Sequence, residues 1–193
     1  MKNLILASSS TYRKKLLLRI ASDFSVIKPK LDEDDFKKHI SEPKILAETL
    51  AEQKALEVFK NHPEAVVIAS DQLVSLDGEI LGKPHNFEGA FNQLTKMQGK
   101  PHHLFTSVCV MNKDRKEIYT DETILKMKAL DEAQIELYIN LDEPFDCAGS
   151  YKIEEHGIAL FESIETNDHT AITGLPLIKL SMLLEEFGFI SFI

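Results

Sequence analysis

The chain is poor in the residues that mark several classes of protein. Its 193 residues include only two cysteines, Cys109 and Cys147, and no tryptophan. Two cysteines without CxxC spacing form neither a disulfide framework nor a zinc site, so we expect ordinary thiols in a reducing compartment. A chain of this length can bury a core without such cross-links.

Long apolar runs and an excess of positive charge are also missing. Before its first serines the chain has one lysine and the short run "LILA", much less than a signal peptide or a spanning helix requires. The net charge is -9, whereas a polymer of nucleic acid is bound through a basic face. We therefore expect a cytoplasmic, soluble protein that binds neither a membrane nor a nucleic-acid polymer.

The basic residues that are present are unevenly distributed. Residues 1–30 contain a single acid, Asp23, and seven basic side chains: Lys2, Arg13, Lys14, Lys15, Arg19, Lys28 and Lys30. A local cationic patch in an acidic chain suits a small polyanion better than a polymer.

Strand and helix patterns alternate along the chain without repeats or a linker, which predicts one α/β domain over residues 1–193 with a mixed sheet flanked by helices. The predicted strands are "NLILA", "FSVIKPKLD", "AVVIAS" with its hairpin, "HHLFTSVCVMN", "EIYTDETILKMKAL" and part of "FDCAGSYKIEEHGIALFESIE". The predicted helices are "TYRKKLLLRIA", "SEPKILAETLAEQKALEVFK" with Ser41 as cap, "FEGAFNQLTKM", "DEAQIELYIN" and "LPLIKLSMLLEEFG".

The first candidate site is "ASSSTYRKK", which lies between a predicted strand and a predicted helix. Its hydroxyls and free backbone N–H groups stand at a helix N-terminus, with Arg13 in the first turn, as in a phosphate cradle. The alternative is that Ser10 or Thr11 only caps the helix and that the basic run is a solvated face.

The second candidate is "SDQLVSLDGEILGKP". A two-residue turn at Asp77-Gly78 would place Gln72 opposite Lys83 and Asp71 diagonal to it. Since neighbouring residues of a strand face opposite sides, Asp71 and Lys83 share a face only if a bulge or twist intervenes. The alternative is a strand-ending Asp in an ordinary turn.

Two further segments carry clustered charge. The acids of "KLDEDDF" could hold Mg²⁺ or Mn²⁺ through oxygen ligands, or could form a solvated loop. In "CAGSYKIEEHG", Lys152 and Glu154 flank Ile153 on one side of a predicted extended segment.

Together these motifs resemble the Maf family of nucleoside triphosphate pyrophosphatases, in order and over essentially the full length. "LILASSSTYRKKLL" is similar to the SxSxxR opening of that family. The resemblance continues through Glu33 in "LDE", Lys54 in "AEQKA", "SDQLVSLDGEILGKP", "GKPHHLFTSV", "CAGSYKIEEHGIALFE" and "GLPLIKL".

The resemblance implies an elongated, inosine triphosphate pyrophosphatase-like fold with two lobes around a nucleotide cleft. It also implies hydrolysis of a nucleoside triphosphate between the α and β phosphates with a divalent cation, Mg²⁺ or Mn²⁺. Asp71 matches the family's proton acceptor, and Glu33 is expected to support the metal together with Asp71. The residues expected to bind the triphosphate are Ser8, Ser10, Arg13, Lys54 and Lys83.

Three positions that set base specificity in the family are Tyr12, Gln72 and Glu154 here. They resemble the branch that acts on 7-methylguanosine triphosphate, whereas the dTTP/UTP branch has Arg, Thr and Gln. The methylated base is cationic, so Tyr12 would gain a cation–π interaction of roughly 0.5 to 2 kcal/mol. Glu154 could accept both N–H groups of the guanine edge, and Glu155 is the fallback for that role.

Other readings stay open from the sequence. The chain could instead cleave dTTP or UTP, or could be a non-catalytic nucleotide-sensing regulator of cell division. His102 and His103 are expected to be structural, and no role is transferred to Asp168. The expected partner is a small nucleoside triphosphate; a homodimer is considered, but the sequence does not determine the oligomeric state.

Overall fold

The computed structural model describes residues 3–189, so Lys2 of the basic N-terminal segment lies outside the described residues. Seven strands and six helices are described, together with two short 3-10 turns, Ala148–Ser150 and His156–Leu160. The strands are β1 (Asn3–Ala7), β2 (Ser25–Ile27), β3 (Ala65–Leu76), β4 (Glu79–Leu81), β5 (Pro101–Met111), β6 (Lys116–Met127) and β7 (Phe161–Glu165). The helices are α1 (Thr11–Leu17), α2 (Asp34–His39), α3 (Pro43–Phe59), α4 (Phe87–Met97), α5 (Glu132–Asp142) and α6 (Leu177–Glu186). Within residues 3–189, no helix has the length and apolar character needed to cross a membrane.

The strands form a seven-stranded mixed sheet in the order β2-β1-β3-β5-β6-β7, with β4 paired to β3. Strand β1 is parallel to both β2 and β3. The β3–β4 and β6–β7 pairs are antiparallel. The predicted α/β class with a mixed sheet and flanking helices is confirmed.

The chain divides into two compact units. The first contains the residues up to 72, residues 106–121 and the residues from 168 onward; the second contains residues 73–105 and 122–167. The single domain over 1–193 and the nucleotide cleft stay predictions.

In the first unit β1 and β3 are buried on both faces, and their side chains point alternately to one face and the other. Leu4, Leu6, Val66 and Ile68 pack with residues of α1 and α6 in one cluster. The intervening side chains of the same strands, including Ile5 and Val67, pack with Ala51, Ala55 and Val58 of α3 in another. This layering explains why "NLILA" and "AVVIAS" are nearly continuous apolar runs.

The second unit contains α4, α5 and the β3–β4 hairpin. Helix α4 buries Ala90, Leu94 and Met97, and α5 buries Ile135, Tyr138 and Ile139. Asp131 caps α5 with a capping box completed by Gln134, which satisfies orphan N–H groups at both positions.

Two local predictions are wrong, and the loop alternative for "KLDEDDF" holds only in part. Asp32 and Glu33 precede a helix, whereas Asp34 and Asp35 begin α2, where negative charge stabilises a helix N-terminus. Helix α3 is capped by Glu42, not by Ser41, because the Glu42 carboxylate accepts the N–H groups of Lys44 and Ile45.

The segment around Lys152 and Glu154 is also not extended. It forms turns between the two 3-10 segments. Its backbone N–H groups bond within the segment rather than to a neighbouring strand: Glu155 N and Gly157 N both donate to Lys152 O.

Candidate active site

Three side chains that are distant in sequence meet in the first unit: Glu33, Lys54 and Asp71, called here the carboxylate–lysine cluster. Lys54 Nζ lies 2.7 Å from Glu33 Oε1 and 2.5 Å from Asp71 Oδ1. Asp71 comes from the middle of β3, and its side chain is 9% exposed. One ammonium group thus joins the two carboxylates expected to support a metal.

The two carboxylates of the cluster have different electrostatic environments. Burial raises the pKa of Asp71 above its usual value, against the opposing effects of Lys54 and Arg13. Burial also acts to raise the pKa of Glu33, but hydrogen bonds from Lys37 and Lys54 outweigh it and lower this pKa to about 2. Glu33 is therefore held as the anion, while Asp71 is the stronger base of the two.

The cluster has features that suit a divalent cation shared with a ligand. Asp71 Oδ2 is buried and has no hydrogen-bond partner in the described part of the chain, so this oxygen can accept a further contact. Residues 3–189 contain no group of three or more His, Cys, Asp or Glu side chains arranged to hold a metal ion. Mg²⁺ is commonly bound by one or two carboxylates plus substrate phosphates, and Glu33 and Asp71 match that donor set.

The serine loop before α1 is ordered by its own hydroxyls. Ser8 Oγ accepts the N–H of Ser10 at 3.1 Å, and Ser10 Oγ accepts the N–H of Arg13 at 3.3 Å. Ser10 is therefore the N-cap of α1, as the more conservative reading of this segment predicted. Because both hydroxyl oxygens act as acceptors here, their O–H groups can still donate.

Arg13 is half-buried and connects the serine loop to two other segments. Its Nε donates to Gly174 O at 3.1 Å, and its NH1 donates to Ser70 O at 2.7 Å. Gly174 O also accepts the Ser70 hydroxyl at 2.8 Å. A Cβ on Gly174, whose φ is +116°, would lie 3.0 Å from Arg13 Nε, so this approach requires a glycine.

Gln72 is bound through its amide nitrogen. Nε2 donates to Thr106 Oγ1 at 2.9 Å, to Ala171 O at 3.0 Å and to Ile172 O at 2.9 Å. Because these three hydrogen bonds occupy Nε2, the Gln72 side chain can contact a ligand only through its oxygen, Oε1. Tyr12, the other specificity candidate in this unit, has 37% of its surface exposed.

The loop that Gln72 contacts is organised by Asp168. Asp168 Oδ1 accepts the backbone N–H and the hydroxyl of Thr170, and Oδ2 accepts the N–H of Ile178 at 2.7 Å. Asp168 thus orders the start of α6 and the loop that contains Ala171 and Ile172, the residues that Gln72 contacts.

The hairpin of the second unit has the predicted turn. Asp77 and Gly78 have φ values of 52° and 86°, as a type I′ turn requires at both positions. Val74 pairs with Leu81. The strand β4 ends there, so the predicted pairing of Gln72 with Lys83 is wrong and Lys83 lies in the following loop.

The loop carrying Lys83 is held by α4. Gln93 Nε2 donates to Gly82 O at 3.0 Å, and Gln93 Oε1 accepts the Ser150 hydroxyl at 2.5 Å. A Cβ on Gly89 would lie only 2.3 Å from Pro84 O. Gln93 therefore links the Lys83 loop to the segment that leads to Glu154, a role that the sequence analysis missed.

Glu154 lies exposed in a turn whose base is Lys152. Lys152 O accepts the N–H groups of Glu155 and Gly157, both at 3.1 Å. A Cβ on Gly157 would lie 2.4 Å from the same oxygen.

The predicted site residues are divided between the two units. The first unit contains Ser8, Ser10, Tyr12, Arg13, Glu33, Lys54, Asp71 and Gln72, and the second contains Lys83 and Glu154.

The sequence model of one family, described as Maf-like protein, matches residues 3–187. The chain belongs to the Maf-like family. A protein of Bdellovibrio bacteriovorus named 7-methyl-GTP pyrophosphatase is 52% identical to this Maf-like protein over 185 residues, or 96% of this chain and 97% of the relative.

Two further relatives carry the same name. The protein of Xanthomonas axonopodis pv. citri is 42% identical over 98% of both chains, and that of Bordetella pertussis is 42% identical over 96% of this chain and 92% of its own. Among solved structures, the Ham1 protein of Staphylococcus aureus aligns with a TM-score of 0.49 and 12% identity, covering 96% of this chain and 100% of Ham1. A similarity at that level supports no conclusion about activity.

His102 and His103 of the Maf-like chain, which were expected to be structural, both contact neighbouring side chains of the fold. His102 is fully buried, its Nε2 lies 3.2 Å from the Tyr151 hydroxyl, and its ring packs against Tyr151 and Phe161. Burial lowers the pKa of His102 to about 4. His103 lies at the surface, with Nδ1 2.8 Å from Glu122 Oε1.

The cysteines of the Maf-like chain are ordinary thiols, as expected. Both are free, and burial raises the pKa of each, that of Cys109 to about 12. Neither is a thiolate at neutral pH.

Lys37 is a further residue that sequence reasoning missed. Its Nζ lies 2.8 Å from Glu33 Oε2. The signal was the spacing, because Glu followed by Lys four residues later forms an ion pair on a helix.

Proposed function

We propose that the protein hydrolyses 7-methyl-GTP to 7-methyl-GMP and pyrophosphate, removing a modified nucleotide. The observation that carries the proposal is the buried Asp71 beside Lys54, in a chain that is 52% identical to a protein named for this activity. Chemistry and substrate thus have separate supports: the cluster supports hydrolysis, and the relatives support the choice of nucleotide.

Asp71 acts as the general base in this proposal. It accepts a proton from a water molecule while the water oxygen attacks the α-phosphorus. The bond between the α-phosphorus and the oxygen that bridges to the β-phosphate then breaks, and pyrophosphate leaves. Burial raises the pKa of Asp71, which makes its anion a better proton acceptor than an exposed aspartate.

Glu33 and Asp71 would hold a divalent cation, Mg²⁺ or Mn²⁺. When bound, this cation would neutralise charge on the phosphate oxygens and would lower the pKa of the attacking water. Lys54 remains close to both carboxylates and adds a positive charge that a phosphate oxygen can approach.

The residues that bind the triphosphate in this proposal are Ser8, Ser10, Arg13, Lys54 and Lys83. Ser8 and Ser10 donate their O–H groups, and Arg13 uses the guanidinium hydrogens that Ser70 and Gly174 leave available. Lys54 and Lys83 contribute point charges.

The base is recognised by Tyr12, Gln72 and Glu154. The exposed ring of Tyr12 can stack on the cationic methylated base, with a cation–π contribution of roughly 0.5 to 2 kcal/mol. Glu154 accepts the two N–H groups of the guanine edge and offsets the charge of the base. Gln72 contributes its Oε1, because its Nε2 is already bound to Thr106, Ala171 and Ile172.

Pyrophosphate release from a panel of nucleotides, measured with Mg²⁺ or Mn²⁺, tests the proposal. We expect 7-methyl-GTP to be turned over faster than GTP, dTTP and UTP. Equal or faster turnover of dTTP or UTP would transfer the protein to the pyrimidine-directed alternative. Nucleotide binding without cleavage of any member would support a sensing role instead.

Glu154→Gln tests the base assignment, with Glu155→Gln as its matched control. We expect the first variant to lose preference for 7-methyl-GTP over dTTP while keeping turnover, and the second to resemble the wild-type protein. Equal loss on every nucleotide in Glu154→Gln would remove the role given to Glu154, and the reverse pattern would transfer that role to Glu155.

A further inference from the structure

The turn that carries Glu154 is anchored at both ends to one face of α5. Lys152 N donates to the Tyr138 hydroxyl at 2.9 Å, and Lys152 Nζ donates to Asp142 O at 2.5 Å. At the other end, His156 Nδ1 lies 2.6 Å from Asp142 Oδ1. Tyr138 and Asp142 are four residues apart, so they lie on the same face of α5.

The pair formed by Asp142 and His156 is asymmetric in burial. The Asp142 side chain is 2% exposed, whereas the His156 side chain is 65% exposed. A buried carboxylate requires a polar partner, and an ionised carboxylate only accepts, so Nδ1 of His156 is the donor. The buried aspartate therefore fixes the orientation of an imidazole that otherwise faces outward.

The backbone between the two anchors has little freedom. Glu155 N and Gly157 N both donate to Lys152 O. Gly157 approaches Lys152 so closely that a Cβ would lie 2.4 Å from that oxygen. Glu154 thus lies in a short closed turn whose orientation depends on where Lys152 and His156 are held.

We propose that His156, held by Asp142, is a positioning residue for base selection, because it fixes the turn that presents Glu154. The proposal rests on the proposed function for its substrate, but the anchoring itself is independent of any nucleotide. His156 acts through Glu154 and does not take part in the cleavage step.

A double-mutant cycle tests this role. We expect His156→Ala to reduce the ratio of kcat/KM for 7-methyl-GTP over dTTP about tenfold, the size expected when a hydrogen bond to a charged group no longer orders a binding residue. The loss should appear as a higher KM for 7-methyl-GTP, with kcat for this nucleotide unchanged. In a Glu154→Gln background, adding His156→Ala should cause no further loss of the ratio, because the residue being positioned is already changed.

Two matched variants separate positioning from general damage. His156→Asn keeps an N–H near the position of Nδ1 and should restore most of the ratio. His103→Ala removes a surface imidazole that also bonds a carboxylate, Glu122, and should leave the ratio unchanged. An equal loss on both nucleotides in His156→Ala, or additive losses in the double variant, would overturn the proposal.

Amide hydrogen exchange on the nucleotide-free protein provides an independent readout. We expect faster exchange at Glu155 and Gly157 in His156→Ala, and unchanged exchange in His103→Ala. If the wild-type protein cleaves no nucleotide, the proposed function fails, and unchanged exchange in His156→Ala would still overturn the anchoring. If cleavage is selective but His156→Ala keeps the full ratio, the function stands and the positioning role fails.

Discussion

The Nζ of Lys54 lies 2.5 Å from Oδ1 of Asp71. The same nitrogen lies 2.7 Å from Oε1 of Glu33. The Lys54 ammonium group therefore contacts two carboxylates whose pKa values shift in opposite directions. The pKa of Glu33 falls to about 2, and the pKa of Asp71 rises. Glu33 therefore stays an anion, and Asp71 is the group that accepts a proton.

Asp71→Asn should remove most of the turnover while leaving nucleotide binding in place. The change keeps the shape of the side chain but removes the proton acceptor, so we expect kcat to fall by about 10²- to 10⁴-fold. Pyrophosphate release and a separate binding titration measure the two quantities. A kcat within a few fold of the wild-type value would exclude Asp71 as the general base.

Lys54→Met should shift the acid limb of the kcat/KM pH profile to higher pH. The charge and hydrogen bond of Lys54 lower the pKa of Asp71 against the larger effect of burial, so removing them raises that pKa further. Lys37→Met is the control, because Lys37 bonds Glu33 rather than Asp71. Identical acid limbs in the wild-type protein and Lys54→Met would show that Lys54 does not set the protonation of Asp71.

Glu33→Gln should destabilise the fold at neutral pH, by an amount that becomes smaller as the pH falls from 4.5 toward 2. The pKa of Glu33 is about 2 in the folded protein against an ordinary 4.5, so its stabilisation is complete above pH 4.5 and is lost as the pH falls through 2. Urea unfolding of both proteins between pH 7 and pH 3 measures the free-energy difference. A difference that is constant over this range would contradict the role of Glu33 as a stabilised anion.

Gly89→Ala should disturb the loop that carries Lys83. The added Cβ would lie 2.3 Å from Pro84 O, and overpacking of this kind costs about 1 to 3 kcal/mol. Gly82→Ala is the matched control, because its Cβ meets no heavy atom within 4 Å. Only Gly89→Ala should have a lower unfolding temperature and a higher KM for the nucleotide. An unchanged KM in this variant would show that the position of the Lys83 loop does not affect substrate binding.

Much of the fold follows from local pattern. The helix predicted over "FEGAFNQLTKM" is α4 at the predicted bounds, Phe87–Met97, because an asparagine cap and an apolar face agree there. Asp77-Gly78 forms the predicted turn for a similar reason: glycine, and aspartate to a lesser degree, adopt the left-handed conformation that this turn requires. Local pattern failed at α2, where acids that resemble a solvated loop instead stabilise a helix N-terminus.

The candidate site divides in the same way. The chemical identity of Asp71, Lys54 and Glu33 could be predicted from their motifs, since residue type and order are properties of the chain. Three features could not be predicted. They are the approach of the Asp71 and Glu33 carboxylates to the Lys54 ammonium, the hydrogen bonds of Gln72 Nε2 to the loop of Ala171 and Ile172, and the anchoring of the Glu154 turn by Asp142.

By itself, the sequence determined the α/β class, the mixed sheet, most helix positions, the Asp77-Gly78 turn and the residue types available for chemistry, because each depends on neighbours a few positions away. Only the tertiary structure decided which groups share a proton donor, which are buried, and hence which pKa values rise or fall. Those properties depend on contacts between segments far apart in the chain, which local patterns do not encode.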